Sequence, residues 1–527
     1  MLAVGPPSCL RDLFQRVFNK EFETRLFLMP VTIYEYESGE HIKKIKRGLR
    51  KLKEAGAEVV ILYVTCADIL SATDLSKLCS KEEQNLNIQI KALMRGPLSK
   101  RKIKPSERLK AVLNEVDLSE INTHIYTGNI EGIKRKIPVM ASDYSGAESV
   151  LLNLDMMNVL CTPGGCANSI ISFGEIGQLD NRYLYRTCMS EIDVVMGCEE
   201  HILNSITNTL LNKNVNAVSL TGTPVTSITG ISMKNICRKI EKNLDKKSIF
   251  INCNGFSNYA AGADMAFSNL CSTFLKKCEK SRFGVNILGY TLLGCGTGEK
   301  LNELRKVLSE CGLHIEYDSS LCSSIEEFKK AAKAELNIVI SEAGINSALY
   351  MKEYLHISYI IINPIGCNGM QKLFKYTQSI FEFSIDENIK DRYTKESPIR
   401  EASGEAVVIG ESVFASAMAE CLANDYGIKN VRVICNLPKE NRLKDIYNCA
   451  ELKNIEFIDD ENKIEKILNS DEVEIIVGDP LFKRLLNKNK VFIDIPHIGL
   501  SGCIYKNINY EYIGKGGDDY IKQYIKN

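Results

Sequence analysis

The chain has no excess of charge of either sign: Lys plus Arg and Asp plus Glu both number 66 in 527 residues. Phosphate recognition needs a basic surplus at least locally, so nucleic acid is excluded as the expected partner. The one basic run, residues 94–110 (MRGPLSKRKIKPSERLK), is interleaved with Gly, Pro and Ser and reads as a solvated linker. No stretch approaches the roughly 18 uninterrupted apolar residues that a spanning helix requires. The N-terminus also lacks a basic segment followed by an apolar run, so the expectation is a cytoplasmic protein with no membrane partner. Histidine is scarce, at 6 residues, and no paired general acid and base can be read from the sequence.

Cysteine, in contrast, is abundant at 19 residues. Structural disulfides are rare in a reducing compartment, so most of these thiols are expected to be small buried hydrophobes, as in NLCSTFLKKC or VRVIC. The few that sit in Gly/Pro turns need another explanation, and metal or cluster ligation leads.

The length exceeds what one core usually spans and implies roughly three or four domains. Residues 1–80 contain a helical stretch, HIKKIKRGLRKLKEAGA, followed by a continuous apolar run, AEVVILYVT, of the kind a buried parallel strand shows. Cys66 then falls at the carboxyl end of a strand, the edge where open α/β sheets bind ligands. Residues 81–120 are polar and read as a helical or partly ordered connector. Three α/β units follow, at 121–280, 281–400 and 401–527, each alternating apolar runs with helical segments across short turns. In the first of these, CTPGGC places Cys166 where a helix is expected to begin, a position that favours a thiolate. The Gly-rich GCGTGEK has neither the dinucleotide nor the P-loop spacing.

One stretch organises the rest. Residues 161–230 open with CTPGGCANSI, continue through CMSEIDVVMGCEEHIL and close with TGTPVTSITG; residues 5–74 echo them with GPPSCLR and VTCADILSATD. Cys9 and Cys66 are 57 positions apart, as are Cys166 and Thr223.

These strings, with SDYSGAESVLLNLDMMNVL before them and INCNGF, VNILGY, LNIVIS, IPHIGLSG and INYEYIGKGG after them, resemble in order the nitrogenase component 1 family. That family comprises nitrogenase subunits, their cofactor-assembly scaffolds and the subunits of dark-operative protochlorophyllide reductase. The resemblance covers residues 121–527 and implies three Rossmann-like domains with parallel sheets, preceded here by a truncated repeat of the cluster-binding region. It also implies an iron–sulfur oxidoreductase component, fed by an ATP-dependent reductase-like iron protein and associated with a related subunit or a second copy of itself. A non-catalytic scaffold for a metallocluster or tetrapyrrole is the alternative.

Carried over position by position, Cys166 matches the family's second cluster cysteine, while Ser142 and Thr223 stand where the first and third should be. The N-terminal echo supplies the second-position cysteine as Cys9 and the third as Cys66. The implied ligands of an iron–sulfur cluster, taken as 4Fe-4S, are therefore Cys9, Cys66 and Cys166, with Cys161, Asp143 or Cys188 for a fourth place. The family's cysteine for a large Mo-type cofactor falls near Ser341 and its active-site histidine near Ala263 or Met265, so no such cofactor is expected. His497 resembles the position of that cofactor's histidine ligand and is the one candidate catalytic residue. The resemblance further implies a substrate cleft where the strand ends at Ser341, Gly366 and His497 converge.

Overall fold

A computed structural model of the chain describes residues 1–525 apart from 95–104, 118–127, 164, 167–169, 171–182, 198, 211–214, 395–403, 439–451 and 453. Its described strands form four sheets, every one parallel. The first contains β1 (Leu2–Gly5), β2 (Phe27–Pro30), β3 (Val59–Val64) and β4 (Gln89–Met94). The second contains β5 (Met157–Leu160), β6 (Leu184–Arg186), β7 (Ala217–Thr221) and β8 (Lys247–Ile251). The third contains β9 (Gly284–Leu288), β10 (His314–Asp318), β11 (Leu336–Val339) and β12 (Ser358–Ile361). The fourth contains β13 (Glu405–Gly410), β14 (Asn430–Cys435), β15 (Ile455–Phe457), β16 (Val473–Gly478) and β17 (Val491–Asp494).

The first three sheets share one strand order, second-first-third-fourth, while the fourth runs β15-β14-β13-β16-β17. Parallel strands need helical crossovers on both faces, so their residues are apolar on both sides; Val407, Val408, Ile476 and Val477 are all fully buried. This is the α/β architecture with parallel sheets that the alternating pattern implies.

The N-terminal repeat is larger than the sequence suggests. Leu2–Gly5, LAVG, is too short to show periodicity and reads as part of a turn, yet it is a central strand paired with both β2 and β3. Residues 81–94, expected at the start of a connector, supply the end of the Leu75–Leu86 helix and the edge strand β4, in register with β3 from Val59–Gln89 to Val64–Met94. Edge position explains the polar pattern: β4 needs only one apolar face, and Met94 is exposed. Most of the basic run lies outside the described residues; its end forms the helix Pro105–Asn114.

One helix crossing sets the frame for the site. The helices Asp143–Leu151 and Tyr259–Phe274 meet backbone to backbone. A Cβ on Gly146 would lie 1.8 Å from the Tyr259 carbonyl oxygen, and one on Gly262 would lie 1.7 Å from that of Asp143. No side chain can yield there, because the obstacle is main chain. Gly146→Ala is expected to cost about 3 kcal/mol or more, read as a fall in the urea midpoint.

Candidate functional site

Each repeat delivers its cysteine from a turn after its first strand. In the first, β1 runs into GPPSC and Cys9 is the third residue of the helix Pro7–Val17, with Pro at the start where no N–H is needed. In the second, β5 runs into CTPGGC and Cys166 sits in the following turn. The residues just after Cys166 lie outside the described residues, and with them the helix start expected there.

Cys66 is the first residue of the helix Cys66–Leu70, directly after β3. Thr65 caps that helix, and Thr223 caps the equivalent helix Pro224–Thr229 after β7, each within a capping box. The caps thus match Thr65, rather than Cys66, with Thr223. These two short helices pack against each other and join the repeats.

The result is convergence of three thiols. Desolvation raises Cys9 well above the usual thiol range, and negative charge at Cys166 and Cys66, in that order, raises it further. Cys166 is raised chiefly by burial and also feels Asp12 from the Cys9 helix. Tyr144, buried from the second repeat, is raised by desolvation and then by Cys166 and Cys9, with the Ser142 and Ser8 hydroxyls tempering the rise. The buried Ser8 hydroxyl makes no hydrogen bond of ordinary geometry to the described residues.

Among the described residues, no group of three His, Cys, Asp or Glu side chains is spaced tightly enough for one metal ion. A tetrahedral single ion with bonds of about 2.3 Å draws its sulfurs within roughly 4 Å of one another. Cys9 feels the charge of Cys166 and Cys66, a mutual repulsion that iron bound to the deprotonated thiols would neutralise.

The three candidates for a fourth position are placed differently. Cys161 is fully buried in the same apolar cluster as Cys66, together with Met157, Val159 and Met189. Asp143 is also fully buried, but its carboxylate accepts from the backbone N–H groups of Asn254 (2.7 Å), Gly255 (2.8 Å) and Tyr144 (2.8 Å). Burial raises it to about 7 against those three bonds. It holds down the loop whose Gly255 carbonyl receives the Ser8 N–H, beneath Cys9. Cys188 is exposed, in a left-handed turn residue between β6 and the helix Glu191–Met196.

A second feature lies between the second, third and fourth sheets: a cavity lined by Tyr259, Cys295, Asn363, Glu411, Asp479 and His497, with Ser341 at its wall. Its free interior is about 30 Å³, room for roughly two waters; a larger ligand has to part the domains. Ser341 and His497 meet here as expected. Gly366 does not: it starts a helix against Cys421 and Asp425. Ala263 and Met265 do not line it either.

His497 precedes the short helix Ile498–Ser501; its backbone N–H donates to Asp479 (2.7 Å) and its Nε2 meets the Tyr259 hydroxyl at 2.9 Å. Burial, then the Arg11 charge, lowers it to about 4, so the ring is neutral at pH 7. Burial raises Glu411 to about 7. Tyr259, Cys295 and Glu411 escape sequence reasoning because each sits on an ordinary helix or turn segment and only packing turns it inward. The one signal for any of them was the GEAVVIGE turn, which places Glu411 at a strand end.

Arg11 links the two features. Two residues after Cys9 and 1% exposed, it donates to the carbonyls of Val139 (2.8 Å), Leu500 (2.9 Å) and Ile498 (3.1 Å). The Cys9 helix is thereby fastened to the turn that carries His497.

The family model of nitrogenase component 1 type oxidoreductases matches residues 142–517. The chain belongs to that family. Curated relatives include a light-independent protochlorophyllide reductase subunit from Leptolyngbya boryana, 22% identical over 258 residues covering 44% of this chain and 51% of that one. The corresponding protein from Mesostigma viride is 22% identical over 266 residues, 45% of this chain and 52% of that one. The chain spans about half the length of the curated relatives it matches. Among solved structures, nitrogenase Cp1 at pH 6.5 has a TM-score of 0.62 at 12% identity, covering 78% of this chain and 95% of that chain, which shows a shared fold. The family match begins at Ser142, so the N-terminal repeat that supplies Cys9 and Cys66 lies ahead of it. No helix among the described residues is long and apolar enough to cross a membrane.

Glu148 is a buried acid of this component 1 core. It is fully buried, neither carboxyl oxygen has a partner among the described residues, and the Thr221 hydroxyl lies near enough to temper it but not to bond. Burial raises it to about 7. Between about pH 4 and 7 the folded state therefore binds a proton that the unfolded state has lost, so this contribution to stability falls by about 3 kcal/mol as pH rises through that window. Glu148→Gln is expected to flatten the decline, measured as urea midpoints at acid and alkaline pH.

Proposed function

We propose that the chain is a nitrogenase-like electron-transfer component in which Cys9, Cys66 and Cys166 hold an iron–sulfur cluster, of 4Fe-4S type. Cys161 is the leading fourth candidate. The observation that carries this reading is the meeting of one thiol from the second repeat with two from the first. When bound, such a cluster supplies low-potential one-electron transfer. The chain's own part is to bury the thiols, hold them by the two capped helices and place Tyr144 and Ser8 beside them. A related subunit or a second copy, expected from the family, is not needed to bring these three together.

The electron donor in this reading is an ATP-dependent iron protein. The helix Glu191–Met196 supports it: Ile192, Val195 and Met196 are 73%, 79% and 79% exposed, an apolar patch on a helix packed beside Pro224–Thr229, itself packed on the Cys66 helix. Contiguous exposed apolar side chains mark contact sites. Val195→Asp is expected to slow ATP-dependent reoxidation of a reduced iron protein by about tenfold or more, with iron content unchanged.

Electrons then serve a substrate, not dinitrogen, in the cavity of His497 and Glu411. The narrowness of that cavity favours the second reading, a scaffold that binds a cluster without turnover. The experiment that separates them is anaerobic reconstitution with a reductase partner: ATP-dependent electron flow through the chain supports the enzyme, and tight cluster binding without flow supports the scaffold. Chains that stay free of iron and labile sulfide after reconstitution would refute both.

A further inference from the structure

We infer that the cavity under His497 selects a small uncharged ligand carrying both a hydrogen-bond acceptor and a donor, of the carboxamide class, and rejects carboxylates. That this ligand is the substrate rests on the reading above; its recognition rests on the cavity walls alone.

The first wall is a donor. Tyr259 has an O–H to place in a buried setting, and among the described residues the hydroxyl's one hydrogen bond is to His497 Nε2. The hydroxyl therefore donates and Nε2 accepts, which leaves the proton of the neutral imidazole on Nδ1. That Nδ1 is buried and makes no hydrogen bond of ordinary geometry to a described residue, its backbone contact being with His497 itself. His497 lines the cavity, and its N–H donor lacks a well-aligned acceptor.

The second wall is an acceptor. Asn363 is 4% exposed; its amide nitrogen donates to the Ile340 carbonyl at 3.3 Å, which fixes the amide orientation and leaves Oδ1 without a donor. Buried polar atoms of native proteins are nearly always paired, and orphans of opposite kind lining one cavity are complementary to a ligand that has both functions.

Charge supplies the exclusion. Among the described residues that line the cavity there is no lysine or arginine, while Glu411 and Asp479 are both present. Their oxygens are held by the backbone N–H groups of Glu342 and Phe414, and of Leu481 and His497, so neither can turn away. Arg11 does not line the cavity: its guanidinium donates to three backbone carbonyls, and its charge reaches His497 and Asp479. An anion entering here would be desolvated beside two acids, with the Arg11 charge acting from outside the lining; a buried charge without a bonded partner is costly. Much of the remaining lining, including Ile340, Phe414, Phe482 and Leu500, is apolar.

Formamide and formate make a matched pair of probes: both are small and planar, one uncharged with donor and acceptor, the other an anion. The full chain, labelled with 15N-histidine, is titrated with each at pH 8, and the His497 resonance is assigned by its loss in His497→Gln. Formamide is expected to shift that resonance saturably in the millimolar range, the tightest that so few atoms permit. Formate should need at least about tenfold more. Asn363→Leu should weaken formamide by about tenfold, and Glu411→Gln, which keeps the shape and removes an acid, should narrow the gap between the probes. Equal or tighter formate binding, no response to either probe, or formamide binding unchanged in Asn363→Leu would each overturn the inference. Iron and sulfide content, measured on the same samples, reports separately on the cluster reading.

Discussion

Replacing Cys9, Cys66 or Cys166 by Ala, one at a time, is expected to abolish cluster retention, whereas Cys421→Ala and Cys435→Ala should leave it intact. The two groups differ in what surrounds the sulfur. Cys9 lies within the electrostatic reach of Cys166 and Cys66, each delivered by a turn after a strand of its own repeat. Cys421 is a buried helix residue whose thiol donates to Asp425, and Cys435 ends β14 in an apolar cluster. Loss of even an outer support of a metal site typically costs 10–100-fold in affinity, so loss of a ligand should cost at least about 100-fold. The core substitutions should cost only stability, about 1 kcal/mol. Iron and labile sulfide per chain after anaerobic reconstitution are the measurement. Among the fourth-place candidates, a fall is expected for Cys161→Ala, and none for Asp143→Asn or Cys188→Ala. Equal loss from the three turn cysteines and the two core cysteines would count against the assignment.

Arg11→Met should produce the largest change outside the thiols. The methionine fills much of the same volume but leaves the carbonyls of Val139, Leu500 and Ile498 without their charged donor in a buried seam. The expected destabilisation is about 3–5 kcal/mol, as when one member of a buried charge-assisted network is removed. Two further readouts distinguish this from general loosening. His497 should titrate at higher pH, because Arg11 is one of the two causes that lower it. Arg11→Lys, which keeps the charge but cannot span three carbonyls, should restore the His497 titration more than the stability. If Arg11→Met shifts neither the urea midpoint nor the histidine resonance, the fastening between the Cys9 helix and the His497 turn is not what joins the two features.

The two kinds of residue at these features differ in how visible they are along the chain. Cys9, Cys66 and Cys166 stand in turns after apolar runs, a local context that marks a thiol as more than filler. Asp143, read as a possible ligand, is a buried carboxylate held by three main-chain N–H groups, and nothing in SDYSGAE distinguishes the two roles. Arg11 looks like one basic residue of an amphipathic helix; its carbonyl partners are 128, 489 and 487 positions away. Glu411 and Asn363 owe their importance to a neighbour's orientation, which local pattern does not record.

The sequence by itself determined the parallel α/β architecture, since runs such as VVILYV and AVVIG are apolar on both faces and only helix-covered strands bury both. It also determined the doubling of the turn-cysteine motif, because spacing along the chain is a one-dimensional property. Tertiary structure decided that the N-terminal repeat is a four-stranded unit with the strand order of its neighbours, since LAVG is too short and β4 too polar to be recognised until hydrogen bonding pairs them. It likewise decided that Cys9 of the first repeat lies within electrostatic reach of Cys166 of the second, and that Asn363, Glu411, Asp479 and His497 line one cavity. Each of these depends on which distant segments exclude water from one another.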